Sequence, residues 1–92
     1  MADIIAGTVT KVIDGDTFEM KIVYEDKSNK YKYNENEIIR LEGTNAPELN
    51  TPAGKIAKTN LTNKLFGASV KCVVKSRDTF GRIVADVTII NS

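Results

Sequence analysis

Apolar residues recur at every second position along most of this chain and at every fourth position along one stretch alone. That single change of period limits the fold more than any other feature. From Thr17 to Tyr24 the alternation is clean: Phe18, Met20, Ile22 and Tyr24 face one way, and Thr17, Glu19 and Lys21 the other, as a half-buried strand requires. A Thr- and Val-rich run from Gly7 to Ile13 precedes it and stops at the turn tripeptide Asp14-Gly15-Asp16. After a polar loop from Glu25 to Asn36, a third strand is predicted over Glu37–Gly43, with Ile39 and Leu41 on one face and Ile38, Arg40 and Glu42 on the other.

The period then lengthens. Thr51-Pro52 is a hydroxyl N-cap followed by proline at the first helical position. Ala53, Ala57, Leu61 and Leu65 form an apolar stripe at spacings of four, and Gly67 stands where a helix C-cap glycine belongs. Two further alternating strands follow, one with Val70, Cys72 and Val74 facing inward and one with Ile83, Ala85, Val87 and Ile89. The turn Arg77-Asp78-Thr79-Phe80-Gly81 joins them. The predicted order is β-β-β-α-β-β, mainly β with one helix, which is the layout of a five-stranded OB-fold barrel.

Length holds this to one domain over residues 1–92, with one modest core. The chain has no histidine and a single cysteine, Cys72, which is expected to pack in the core. An intramolecular disulfide and a cysteine zinc site are therefore excluded. Acid–base chemistry must come from carboxylates, lysines or tyrosines, and any metal must accept oxygen ligands. Charge is unevenly placed. Residues 1–52 hold six Lys/Arg against ten Asp/Glu, whereas residues 53–82 hold seven against Asp78 alone. Such asymmetry suits an anionic polymer on one side of the molecule. No apolar run is long enough to span a bilayer. Met1–Gly7 lacks the basic and apolar regions of a secretory signal, so the expectation is an intracellular protein or one whose leader has been removed.

Three clusters fall at strand ends, where functional groups are usually presented. They are Asp14-Gly15-Asp16-Thr17, the run from Arg40-Leu41 through Asn45-Ala46-Pro47-Glu48, and Asp78-Thr79-Phe80-Gly81-Arg82. Singly, each has a plainer explanation: a turn, a loop, a strand start. Glu48 could serve the helix dipole, and Arg40 could pair with Glu42. In their order and spacing, and with the helix pattern Gly54, Ala57, Leu61, Leu65, they resemble the signature of the staphylococcal nuclease family across nearly the whole chain.

The resemblance implies a calcium-dependent nuclease that hydrolyses DNA and RNA, prefers single strands and leaves 3′-phosphates. It implies that Asp16, Asn45 and the Ala46 carbonyl hold Ca2+, that Arg40 and Arg82 hold the phosphate, and that Glu48 activates the attacking water. Asp14 matches a nearby acidic position of secondary importance. These roles agree with the chemistry. Planar guanidiniums match phosphate oxygens bidentately, and arginines with a divalent cation neutralise charge that grows at phosphorus.

Two departures stand out. Asn45 replaces a family aspartate, which removes one negative charge from the metal site and predicts weaker calcium binding. The chain stops at Ile90-Asn91-Ser92, where family nucleases continue into helices that add tyrosines beside the nucleotide. Residues such as Val84 and Ile90 are then expected to face water, with self-association or a missing C-terminal segment as the corollary. The alternative reading is a nuclease-like OB module that is catalytically weak or inactive and binds nucleic acid or a protein partner.

Overall fold

A computed structural model of the chain describes residues 2–90. Met1, Asn91 and Ser92, the ends of the expected domain, lie outside the described residues. The elements run β1 (Ile4–Asp14), β2 (Thr17–Glu25), β3 (Asn36–Leu41), α1 (Pro52–Leu65), β4 (Ser69–Arg77) and β5 (Ile83–Ile89). The predicted order and the single helix are both present. The strands close into a barrel in the order β1-β2-β3-β5-β4, with β4 returning to β1. All neighbours are antiparallel except β3 and β5, which run parallel. This is an OB-type barrel.

Alternation explains the core. Phe18, Met20, Ile39, Val70, Cys72, Ile83 and Ala85 are fully buried together with Ile5 and Val9, and Leu61 and Leu65 of α1 join them. Cys72 is therefore the core residue it was expected to be, in contact with the Met20 sulfur. The helix stripe is shifted by one position at its start. Gly54 is buried and Ala53 is exposed, so Gly54, Ala57, Leu61 and Leu65 face the barrel. Thr51 caps α1 by accepting from Gly54 N–H at 3.0 Å, which offsets an otherwise unpaired helix donor. At the other end Gly67 N–H donates to the Val9 carbonyl at 3.0 Å and ties the helix to β1.

Several strand limits differ from those read in the sequence. β1 begins three residues earlier because Ile4, Ile5 and Ala6 pair with Val73, Cys72 and Lys71 of β4. β3 ends at Leu41, and Glu42 and Gly43 turn away with Gly43 at φ 78°. Arg77 belongs to β4, where it pairs with Ile83, and is not part of the following turn. Thr17, placed by alternation on the outer face, is nonetheless 2% exposed because the Asp16 region covers it. Ile89 and Ile90 are exposed at 44% and 53%, and Val84 is part-buried. No helix among the described residues is long and apolar enough to cross a membrane.

Candidate phosphodiester site

The site is built where β2 begins and β3 ends. Thr17 pairs with Arg40 and Phe18 with Ile39 across the antiparallel β2–β3 ladder, and Leu41 N–H donates to the Asp16 carbonyl at 2.8 Å. The inward residues Phe18 and Ile39 thereby turn Arg40 outward, beside the Asp14-Gly15-Asp16 turn. That turn fits closely under its neighbours. A Cβ on Gly15 would stand 2.6 Å from the Ala57 methyl and 2.7 Å from the Ala46 methyl, so only glycine lets α1 and the Asn45-Ala46 loop approach it.

Asp16 is the hub. Its carboxylate is buried at 7% exposure and accepts from the Thr17 hydroxyl at 2.8 Å and from the Ala46 N–H at 3.0 Å. One Arg40 guanidinium nitrogen stands 3.4 Å from Asp16 Oδ2 and 2.6 Å from Asn45 Oδ1. Arg40 thus pairs with Asp16 and Asn45, not with Glu42. Asp14 contributes Oδ1 to the Asp16 N–H at 3.0 Å, which braces the turn. Burial pushes the Asp16 carboxyl upward, but contacts with Asp14, Ala46 N–H, Thr17 and Arg40 outweigh it and hold Asp16 below the usual carboxylate value. Asp14 moves the other way, raised by burial and by its contact with Asp16.

Arg82 is held separately. Its backbone N–H and its Nε donate to the two oxygens of Asp78 at 2.9 and 2.7 Å, and its guanidinium lies 5.3 Å from the Phe80 ring centre. The parallel ladder sets Arg40 opposite Val84. Two residues back along the same face is Arg82. With strands about 4.8 Å apart and about 3.3 Å per residue, the two arginine Cα atoms stand about 8 Å apart. Arg40 points outward from β3, and Arg82 stands immediately before β5.

Glu48 lies in the loop between Ala46 and α1. Its carbonyl accepts from the Thr51 hydroxyl at 2.6 Å and the Thr51 N–H at 3.0 Å. Its carboxylate is exposed, and none of the hydrogen bonds or ion pairs among the described residues ties it to Arg40 or Arg82. The structure therefore joins Asp14, Asp16, Arg40, Asn45 and Ala46 in one bonded group, sets Arg82 just ahead of the adjacent strand β5, and leaves Glu48 at the loop edge.

The donors present suit a hard cation in type. Asp16 and Asn45 both turn oxygens toward one guanidinium nitrogen of Arg40. The set is lean, since no group of three His, Cys, Asp or Glu suited to a metal occurs among the described residues. Asp78 as the partner of Arg82 is a residue whose role was missed, although its spacing of four from Arg82 within one turn was a readable signal.

No family model matches the chain. It is similar to a probable staphylococcal-like nuclease (CAN2) of Oryza sativa subsp. japonica, 47% identical over 49 residues that cover 53% of this chain and 13% of that protein. A second rice protein of the same kind (CAN3) is 43% identical over 49 residues, again 53% of this chain and 13% of the relative. The probable endonuclease LCL3 of Arthroderma otae is 34% identical over 101 residues, 90% of this chain and 36% of that protein. The chain thus spans about an eighth to about a third of the length of these relatives. The five-stranded barrel, the order of its three loop clusters and these alignments all point to a likeness with the staphylococcal-like nucleases.

Proposed function

We propose that the chain acts as a calcium-dependent nuclease on single-stranded DNA or RNA. The observation that carries this reading is Arg40 on β3 beside the carboxylate of Asp16, with Arg82 leading into β5, the parallel neighbour of β3. Nuclease names among the relatives support it.

In this reading Arg40 leaves Asn45 and Asp16 for the non-bridging oxygens of the scissile phosphate, and Arg82 engages the same group from just ahead of β5. Both gain strength as negative charge collects on those oxygens in the pentacovalent transition state, so they favour it over the ground state. Glu48 takes a proton from the water that attacks phosphorus, the bond from phosphorus to the 5′-oxygen breaks, and that oxygen takes a proton from solvent water as the 3′-phosphate forms. A calcium ion held by Asp16, Asn45 and the Ala46 carbonyl would supply Lewis-acid polarisation of the phosphate. Asp16, already ionised at neutral pH, needs no deprotonation to serve.

The test is cleavage of single-stranded DNA with calcium against a parallel sample in excess chelator. Glu48→Gln is expected to abolish cleavage with binding largely kept, and Arg82→Ala to lower kcat more than it raises KM. Cleavage that continues unchanged in chelator refutes the mechanism. Binding without cleavage would favour the second reading, a nuclease-like binding module. The neutral amide of Asn45, bonded to Arg40, is the observation on its side.

A further inference from the structure

A cleft of about 460 Å³ opens at the end of the barrel where β1 begins, away from the β1 segment that carries α1. Its volume is within the usual range of small-ligand sites. Asp3, Lys30, Tyr31 and Tyr33 line one side, and Lys75 and Arg77 the other, over an apolar floor that includes Val74 and Ile83. The β2–β3 loop is not loosely draped there. Asp3 accepts from the Lys30 N–H at 2.8 Å, the Tyr31 N–H at 3.1 Å and the Tyr33 hydroxyl at 2.7 Å. Three donors thus satisfy the one carboxylate in the lining, and the loop that bears both tyrosines is pinned to β1.

We propose that this cleft takes a base of the same single strand whose phosphate the two arginines hold, with the base on Tyr31 and a flanking phosphate at Lys30. The proposal rests on the nuclease reading. Tyr31 is 64% exposed, and the Lys30 ammonium lies 5.8 Å from its ring centre, so an aromatic face and a cation stand together at the mouth. Tyr33 is half-buried against the core and stiffens the wall behind. Lys75 and Arg77 already pair with Asp86 and Glu37, and Lys30 has no ion-pair partner among the described residues. One phosphate is therefore a better charge match than a polyanion or an acidic peptide. The cleft borders the β4–β5 loop that leads into Arg82. Arg77 donates to the Gly81 carbonyl at 2.7 Å, and Ile83 on the floor follows Arg82 in sequence. A strand leaving Arg82 along the β4–β5 loop meets the cleft next. OB barrels use that loop for oligonucleotides, and stacking on aromatic side chains is a sequence-tolerant way to hold single strands.

The test is an amide-resolved NMR titration of the intact chain in chelator, with a short single-stranded DNA oligonucleotide in one arm and a free nucleoside monophosphate in the other. The expected result is perturbation by the oligonucleotide of both the Lys30–Tyr33 amides and those of Arg40 and Arg82. Tyr31→Ala should weaken oligonucleotide binding about tenfold, and Tyr31→Phe should restore it. The Ala variant keeps the Tyr31 backbone N–H bond to Asp3 and removes only an exposed ring. Perturbation confined to Arg40 and Arg82, or Tyr31→Ala binding as wild type, overturns the cleft and leaves the nuclease reading standing. Perturbation of the cleft by the mononucleotide alone overturns the continuous strand. No response at either place overturns both readings.

Discussion

Gly54→Ala tests how closely the Glu48 loop is seated on α1. Gly54 is helical and buried, and a Cβ there would lie 1.9 Å from the Glu48 carbonyl oxygen, 2.5 Å from its carbon and 2.9 Å from the Leu49 Cα. All three atoms are backbone, so no side-chain tip can swing aside. Helix propensity alone would favour alanine by about 1 kcal/mol, and overpacking of this kind costs about 1–3 kcal/mol. At 1.9 Å the cost lies at the upper end, which leaves a net loss of about 1–2 kcal/mol. For a domain of this size that is a fall in Tm of roughly 5–15 °C. Urea denaturation should show a lower midpoint at an unchanged slope. Because the yielding element carries Glu48, nuclease turnover should fall further than the unfolded fraction accounts for. A variant as stable as wild type, or more so, would refute the close passage of the Glu48 backbone over Gly54.

Other outcomes follow from the same geometry. Asn45→Asp should tighten a weak calcium site, expected near 10⁻⁴–10⁻³ M as for loose calcium modules (roughly,), and calorimetry showing equal or weaker binding removes Asn45 from the ligand set. Burial pushes the Cys72 thiol up to about 12, so thiol reagents should label it only on unfolding; rapid labelling of the native chain refutes the closed core. Asp14→Asn should stabilise the fold at neutral pH, because burial and Asp16 raise the native pKa of Asp14 and make its ionised form costly. That advantage is full above the raised pKa and vanishes as pH falls to the ordinary carboxylate value, a course that paired denaturation curves can follow. Ile90, with Val23 and Tyr24 across a shallow groove, is exposed, and the chain is expected to self-associate through that side in sedimentation at micromolar concentration; a strict monomer refutes it.

The parts of the fold visible in the sequence are those where one face is wet and one dry. Phe18 and Met20 on β2, and Cys72 on β4, announce their strands because polar neighbours alternate with them. Ile4-Ile5-Ala6 does not alternate, and its strand exists because β4 pairs with it sixty-odd residues later. The misplacement of the stripe at Ala53 has a similar origin. Hydropathy favours alanine over glycine as a core residue, but the incoming Glu48 carbonyl leaves room only for Gly54. Arg77 reads as a turn residue until Glu37, forty positions earlier, is found buried against its guanidinium at 3.2 Å. Long-range pairings of this kind have no local signature.

Arg40 shows most sharply what local reading can and cannot reach. Its outward direction follows from alternation with Ile39 and Leu41, which any strand imposes. Its partner does not. Glu42 is only two residues on, just past the end of β3, yet Arg40 turns to Asp16, twenty-four positions back. That choice belongs to the β2–β3 register, in which Thr17 meets Arg40 and Phe18 meets Ile39. Phe18 and Ile39 are both fully buried, so a slip of one residue would expose two core side chains and turn Arg40 into the barrel. Burial of the pair is worth several kcal/mol (about 1.5–3 for each side chain,), far more than the partly exposed Arg40–Asp16 contact could contribute. Packing therefore sets the register, and the register places the guanidinium beside Asp16, so that the arginine proposed to hold phosphate is oriented by hydrophobic residues buried in the core.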